Sequence, residues 1–179
     1  MSLYLQFGAG PHKHLQIGPP WQNFDIEVDI RQKLPFPRGS AKFILAEHVI
    51  EHVQFSEGLK FLQECYRILE PGGVLRISFP DILRIDRHAA NLYSDHVRKY
   101  GLDIPSPEAV WYSMATDWGH LACWTSHMAI RLMKSIGFAT ELSYYGSSLI
   151  PELDGIDRHH NDVGFDLACA ESTVIEATK

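Results

Sequence analysis

The stretch that decides the fold is residues 34–81, LPFPRGSAKFILAEHVIEHVQFSEGLKFLQECYRILEPGGVLRISFPD. The compact apolar run KFILA (42–46) is typical of a central parallel strand, which is buried on both faces. VLRISF (74–79) predicts a second strand of the same kind. Each run is followed at once by polar residues that can carry chemistry.

An amphipathic helix is predicted between these two strands. Apolar residues recur at spacings of three and four from Leu59 to Leu69, which indicates one buried face. Ser56 is the predicted N-cap, and Pro71-Gly72-Gly73 is a stop signal. Strands that alternate with helices predict a parallel sheet with helices on its faces.

Further strands and one more helix are predicted on either side of this unit. Residues 3–7 (LYLQF) and the alternating segment 21–30 (WQNFDIEVDI) predict strands upstream. Downstream, residues 125–136 predict a helix that stops at Gly137. Segments 139–146 and 172–179 predict the closing strands. The fold class is therefore α/β, with a Rossmann-like open, mostly parallel sheet and helices on both faces.

Residues 82–118 predict a helical insertion after the strand that ends in Pro80-Asp81. Ser106-Pro107 is typical of an N-cap followed by proline at the first helical position. The segment is too small for a core of its own, and 179 residues suit one domain. We expect a single domain, 1–179, in which 82–118 forms a lid.

Composition excludes several classes of protein. A net charge of −6 argues against binding nucleic acid mainly by charge. Three widely separated cysteines suggest neither a disulfide framework nor a metal knuckle. No apolar run approaches the roughly 18 residues of a membrane span, and the N terminus lacks a leader pattern. We expect a cytoplasmic protein without membrane or nucleic-acid partners, and a homodimer is one assembly that we consider.

The loop after the first strand is a candidate ligand-binding loop. In open parallel sheets, ligands bind beyond the carboxyl ends of the strands. Gly8-Ala9-Gly10 follows Phe7 at such an end, and glycine lets a backbone approach a ligand closely. A tight turn without a ligand is the alternative.

Two aspartates in the second strand segment are candidate ribose or adenine ligands. A carboxylate at a strand end can accept hydrogen bonds from ribose hydroxyls or an adenine amino group. Asp25 and Asp29 are so placed, and Ile30 could cover an adenine face. The alternative for each acid is a solvated surface carboxylate.

The string His48-Val49-Ile50-Glu51-His52 has three interpretations. It matches H-x-x-E-H, in which two histidines on a helix hold zinc and glutamate is the base. It can also form one wall of a cofactor site, with His48 as general base. A purely structural role for the turn is the third. Because the string directly follows a strand, we prefer the cofactor wall and assign no metal.

Asp81 and His120 are further candidate bases. Asp81 follows a strand end, and its alternative role is to cap the next helix. His120 lies among Trp111, Tyr112, Trp118 and Trp124, which could line an acceptor pocket or belong to the core. The segment PELDGIDRHHND (151–162), which holds His159 and His160, predicts a mobile polar loop.

These motifs together resemble one family. Residues 34–81 are similar to the type 11 group of class I S-adenosylmethionine (SAM)-dependent methyltransferases, which commonly read LPF…S, then H-x-L-E-H, then L-x-P-G-G-x-L-R-I-x-x-P-D. FGAGP (7–11) resembles their G-x-G loop. Residues 119–138 resemble their later helix, and 172–179 resembles a terminal antiparallel strand.

The resemblance implies SAM as cofactor and a role for each matching residue. Phe7, Gly8, Ala9 and Gly10 would border the methionine moiety. Asp25 would meet the ribose. Asp29, beside Ile30, would meet the adenine. Glu47 and His48 would lie near the sulfonium, and 82–118 would select the acceptor.

The segment between the first and third strands departs from the family pattern. Gln6 stands where an acid is common, and the residues from Gly10 to Asp25 leave little room for a helix. The leading hypothesis is methyl transfer from SAM to a small molecule or a glycan precursor. The alternatives are a non-catalytic binding protein that has lost SAM binding, and a zinc hydrolase that uses the HVIEH string.

Overall fold

A computed structural model describes residues 2–10, 13–104 and 106–179. The described chain forms one six-stranded sheet in the order β2-β1-β3-β4-β6-β5. Its strands are β1 (Leu3–Phe7), β2 (Trp21–Phe24), β3 (Ala41–Glu47), β4 (Leu69–Pro80), β5 (Ala139–Ser143) and β6 (Ser172–Thr178). Strands β1 to β4 pair in parallel, and β6 runs antiparallel to both β4 and β5. The mostly parallel sheet and the terminal antiparallel strand are confirmed.

Six α-helices connect and cap the strands of the described chain. They are α1 (Phe55–Ile68), α2 (Arg87–Val97), α3 (Pro107–Thr116), α4 (Ser126–Ile136), α5 (His160–Val163) and α6 (Phe165–Glu171). Across the described ranges, none of these helices has both the length and the apolar character that crossing a bilayer requires.

The helices begin and end at caps and glycines as the sequence predicts, except at the start of α1. The predicted N-cap Ser56 lies inside α1; the cap is Gln54, whose backbone N–H is in turn bound by the Glu57 side chain in a capping box. Ser106 caps α3 as predicted, with Pro107 at its first turn. Helix α4 ends at Gly137, also as predicted.

The Pro71-Gly72-Gly73 segment is a bulge in β4. Helix α1 ends at Ile68, and β4 begins at the next residue. The pairing with β3 then jumps from Ala41↔Leu69 to Phe43↔Val74, so the intervening residues leave the ladder. The motif ends the helix as predicted, but it does so by returning the chain directly into the sheet.

The two faces of the sheet are covered differently. Helices α1 and α4 cover one face, where Phe61 and Met133 pack against core residues such as Leu5. On the opposite face, Leu153 and Ile156 pack against the sheet. The predicted polar loop 151–162 is therefore in part a covering layer: Leu153 is 0% exposed.

The segment between β1 and β3 is compressed, as its length predicts. Among the described residues between β1 and β2, the one regular turn is the 3-10 turn Lys13–Leu15. The second strand spans only Trp21–Phe24 instead of the predicted 21–30, because the chain turns where the Val28 N–H donates to the Asp25 carbonyl. No regular helix or strand lies between Asp25 and Ser40, where every residue is described.

Candidate functional site

The carboxyl ends of four strands meet at one edge of the sheet. Gly8, Asp25, His48 and Asp81 each follow the last residue of β1, β2, β3 and β4 respectively. A cavity of about 420 Å³ lies beyond this edge, within the roughly 300–1,000 Å³ of small-molecule sites. Helices α2, α3 and α6 close it from above, which is the position expected for the 82–118 insertion.

The glycine loop borders the cavity, but contacts within the protein already account for its backbone conformation. Gly8 has φ +70°, and a Cβ built on it would lie 2.1 Å from Val49 Cγ2. The Ala9 N–H donates to the Phe24 carbonyl, which holds the loop against the end of β2. Gly8 lines the cavity, whereas the Phe7 side chain packs in the core.

The two predicted aspartates have different surroundings in the structure. Asp25 follows β2 directly and is partly exposed beside the glycine loop, outside the cavity lining. Asp29 accepts two hydrogen bonds from the Arg31 guanidinium, and this partner lowers the pKa of the exposed carboxyl. Ile30 packs against the core cluster. Asp29 and Ile30 therefore have structural partners of their own.

Glu47 places a buried carboxylate at the cavity. Its Oε2 accepts from the Arg158 N–H at 2.7 Å, while Oε1 is buried and has no hydrogen-bond partner among the described residues. Burial raises the pKa of Glu47, and the nearby Asp157 charge adds to this. The free Oε1 is the atom that can accept a hydrogen bond from a ligand.

His48 lines the cavity in a strained backbone conformation. Its φ of +51° lies in the left-handed region, which ordinary residues adopt at a cost. Its Nε2 lies 2.8 Å from Ser172 Oγ, and its Nδ1 lies 3.3 Å from Glu51 Oε1. Burial lowers the pKa of His48 well below its ordinary value, aided by the nearby His159. The ring is therefore neutral.

His159 stacks on His48, and its pKa is shifted in the opposite direction. The ring centroids are 3.6 Å apart, and His159 Nε2 lies 2.9 Å from Glu171 Oε1. Burial by itself lowers the pKa of His159, but the Glu171 hydrogen bond and the Glu47 and Glu51 carboxylates outweigh it, so the pKa is raised. The pair therefore presents one neutral and one readily protonated imidazole.

His120 lines the same cavity. Its Nδ1 bonds to the Met114 carbonyl, and its ring meets that of His52 edge to face with centroids 4.8 Å apart. The chain is held there because the N–H groups of Leu121 and Ala122 both donate to the Glu51 carbonyl. His120 thus fits the predicted position at the site.

Asp81 has a structural position, contrary to the catalytic role predicted for it. The carboxylate is 0% exposed and accepts hydrogen bonds from Leu83 N, Ser126 N and Thr173 Oγ1. It caps the first turn after β4, which was the alternative considered. Pro80, and not Asp81, borders the cavity.

The helical cap contributes an aromatic wall. Trp118 Nε1 donates to Tyr93 Oη at 2.6 Å, and the Trp118 ring meets Tyr100 at 5.7 Å between centroids. Trp118 and His120 line the cavity as predicted. The other three predicted aromatics do not: Trp111 and Tyr112 point outward, and Trp124 is 0% exposed in the core.

Sequence reasoning missed three sets of residues at the site. Tyr93 and Tyr100 lie in the predicted helical insertion, where the recurrence of tyrosine was the available signal. Glu171 and Ser172 could not be found from strand ends, because β6 is antiparallel and its beginning lies at this edge. His159 lies in the segment predicted as a polar loop.

The fold and the position of the cavity define a class of protein. A parallel sheet with its cavity beyond the carboxyl strand ends is the arrangement of nucleotide-cofactor α/β proteins. A SAM-dependent methyltransferase structure from Archaeoglobus fulgidus is similar, with TM-score 0.59 and 13% identity over 99% of this chain and 86% of that one. Another from Mesorhizobium loti has TM-score 0.53 and 13% identity, covering 99% and 90%.

Sequence comparison points to the same class. Residues 13–77 match the family described as a methyltransferase domain. A probable S-adenosylmethionine-dependent methyltransferase from Mycolicibacterium smegmatis is 40% identical over 58 residues, covering 30% of this chain and 22% of that protein. The chain thus spans 22% of the length of the curated relative it matches. The chain is therefore similar to SAM-dependent methyltransferases in fold and, over residues 13–77, to a methyltransferase domain in sequence, and SAM is the cofactor that this similarity implies.

The residues present fit a ligand of SAM's chemistry. SAM carries an ammonium group and a sulfonium, and the unpartnered Glu47 Oε1 is a buried acceptor suited to a cation. Asp25 offers a carboxylate beside the same glycine loop. The acids within residues 25–40, Asp25 among them, lie outside the cavity lining. The fit is therefore best at the methionine end.

Proposed function

We propose that this protein transfers a methyl group from SAM to a small-molecule or glycan-precursor acceptor. The observation that carries the proposal is the cavity itself, which lies between the strand ends and an aromatic helical cap. Bound SAM would supply an electrophilic methyl group on a good leaving group. The protein then has mainly to position the reactants and exclude water.

The cofactor side of the cavity is assigned to the sheet edge. The glycine loop from Gly8 to Gly10 would border the methionine moiety, and Glu47 Oε1 would accept from its ammonium group. Asp25 would accept from the ribose hydroxyls. We assign no cofactor contact to Asp29, because its carboxylate is held by Arg31.

The acceptor side is assigned to the cap. Tyr93, Tyr100 and Trp118 offer flat apolar surfaces suited to a ring-shaped acceptor. His48 would orient rather than take a proton, because Ser172 and Glu51 lie against its two nitrogens. His120 keeps Nε2 without a hydrogen-bond partner in the described ranges, so it is the histidine proposed to face the acceptor.

Calorimetric titration with SAM and S-adenosylhomocysteine tests the cofactor site. We expect both to bind to the wild-type protein. Asp25→Asn should weaken binding roughly 10- to 100-fold, as loss of a hydrogen bond to a charged group does. The matched variant Asp29→Asn should bind as the wild type does. Absence of heat with both ligands would refute the proposal. If Asp29→Asn, and not Asp25→Asn, lost affinity for SAM, the ribose contact would be assigned to Asp29 instead of Asp25.

A non-catalytic binding protein is the second candidate, favoured by the compressed segment between β1 and β3. A single 3-10 turn replaces a helix there, which leaves less cover over the adenine side. Release of S-adenosylhomocysteine in the presence of hydroxyl, amine and sugar-nucleotide acceptors separates the two. Binding of SAM without turnover on any acceptor would favour the second.

A further inference from the structure

A second group of polar residues at the cavity has no role in SAM binding. Glu51, His52 and His120 can each offer one ligand atom, and these atoms lie within 4.8 Å of one another. The first two are adjacent in a 3-10 turn (Ile50–His52). The backbone bonds from Leu121 and Ala122 to Glu51 hold the third beside them.

Glu51 is the observation that points to a ligand. The side chain is 1% exposed. Neither carboxylate oxygen makes a hydrogen bond among the described residues, and the nearest group to Oε1 is the neutral His48 ring, whose Nδ1 lies 3.3 Å away. A buried carboxylate without hydrogen bonds is unfavourable, since it has lost its water and the contact with a neutral ring does not replace it. A bound cation would compensate that loss directly.

The two histidines present unused nitrogens. The Met114 carbonyl takes the Nδ1–H of His120, which leaves Nε2 as a lone-pair donor. A hydrogen bond from the other ring nitrogen to a carbonyl is the arrangement that orients most metal-binding histidines. His52 is exposed at the cavity, and within the described chain its ring makes no hydrogen bond. Its side chain is thus free to close the distance to a shared ion.

A neighbouring set of the same composition serves as a contrast. His48, His159 and Glu171 also lie within 4.8 Å, but their ligand atoms are engaged. His48 Nε2 is bonded to Ser172, and His159 Nε2 is bonded to Glu171. Internal hydrogen bonds therefore engage the ligand atoms of this set, whereas in the described chain the Glu51 oxygens and His120 Nε2 make none.

We propose that Glu51, His52 and His120 bind a divalent transition-metal ion, zinc being the reference ion, at the acceptor side of the cavity. Two imidazoles and one carboxylate with open positions are the ligand set of catalytic zinc sites. This differs from the zinc motif suggested by the sequence, in which His48 and His52 would pair on a helix. Here the left-handed His48 turns its ring away toward His159.

The site has a place in the proposed reaction. Its open positions would face the same cavity as the aromatic wall, so the ion would coordinate an acceptor oxygen or nitrogen and fix its orientation. This role rests on the proposed methyl transfer. The metal site itself rests only on its three ligands.

Titration of the tag-free, metal-stripped protein with Zn²⁺, without SAM, tests the site. We expect one ion per chain, and Co²⁺ should give visible absorption bands of a four- or five-coordinate site. His120→Gln and His52→Gln should each weaken binding by more than the roughly 10- to 100-fold loss typical of an outer-shell partner. The matched control His127→Gln, on the exposed face of α4, should bind as the wild type does.

Other results would overturn the proposal. These are failure of the wild type to bind one ion, equal binding by all variants, or loss of binding in His159→Gln instead. His52 is exposed, so its substitution keeps the test decisive if His120→Gln does not fold. SAM is titrated into the same metal-free protein in a separate experiment. Failure of the metal site can therefore be told apart from failure of the methyltransferase proposal.

Discussion

At the residue scale, Gly8 shows how one position can serve both packing and ligand binding. Its backbone is left-handed, and Val49 fills the space where a side chain would begin. A G-x-G sequence is usually interpreted as room for a ligand. In this protein the first glycine is required even before a ligand binds, because β1 and the turn after β3 meet there.

Gly8→Ala should therefore destabilise the protein more than an ordinary glycine substitution. Gly39 is the matched control: its φ of +68° is nearly that of Gly8, but nothing lies within 4 Å of its Cβ position. Gly39→Ala should cost about 1–2 kcal/mol, the price of the left-handed conformation. Gly8→Ala should add about 1–3 kcal/mol of overpacking.

Urea unfolding of both variants measures the difference. Combining Gly8→Ala with Val49→Ala should recover the overpacking part only. If the two single variants lose the same free energy of unfolding, the contact between Gly8 and Val49 is not what demands glycine.

At the scale of elements, Asp81 joins three segments at the end of β4. Its carboxylate binds the turn after β4, the start of α4 and a side chain at the start of β6. A residue with this many internal partners positions the cap relative to the sheet. Asp81 is also fully buried and does not line the cavity.

Asp81→Asn should lower the free energy of unfolding by about 1–3 kcal/mol, because an amide cannot satisfy all of these donors. The affinity for SAM should change little. Asp86→Asn is the matched control: Asp86 caps α2 through Ala89 N alone, so its loss should be smaller. Unchanged stability together with lost methyl transfer would restore the catalytic interpretation of Asp81.

At the scale of the whole molecule, one buried ion network ties the covering segment 144–158 to the sheet. Arg76 on β4 is 0% exposed and bonds to Asp157, to Glu176 on β6 and to the Tyr144 carbonyl. Burial lowers the pKa of Arg76, but its Asp157 and Glu176 partners outweigh this and raise it. Because Arg158 and His159 follow directly, the network also positions the cavity wall.

Arg76→Met should destabilise the protein by about 3–5 kcal/mol, since two carboxylates would lose their buried partner. Lys42 is the control, because it pairs with Glu152 of the same segment at the surface. Lys42→Met should leave the unfolding midpoint almost unchanged, as expected for an exposed pair. Thermal and urea unfolding measure both; similar losses would mean that burial does not set the strength of this network.

The sequence by itself determined the sheet, the helix ends and most of the strand-end residues. Period-two and period-3.6 patterns, caps and glycine stops are local, so they can be interpreted without knowing the fold. Gly8, His48 and His120 were singled out from the residues themselves, whereas Glu47 was named only from the family resemblance. The pairing of Asp29 with Arg31 and the full engagement of Asp81 were not predicted, since a carboxylate's partners do not show in its own neighbourhood.

Only the tertiary structure decided which histidines share a site. His52 meets His120, and His48 meets His159, although His48 and His52 belong to one motif. The reason is physical: a left-handed residue at the strand end separates the two halves of the motif, and each half is completed by a chain segment far along the sequence. Contacts of that range depend on how the cap and the antiparallel β6 fold back over the sheet edge.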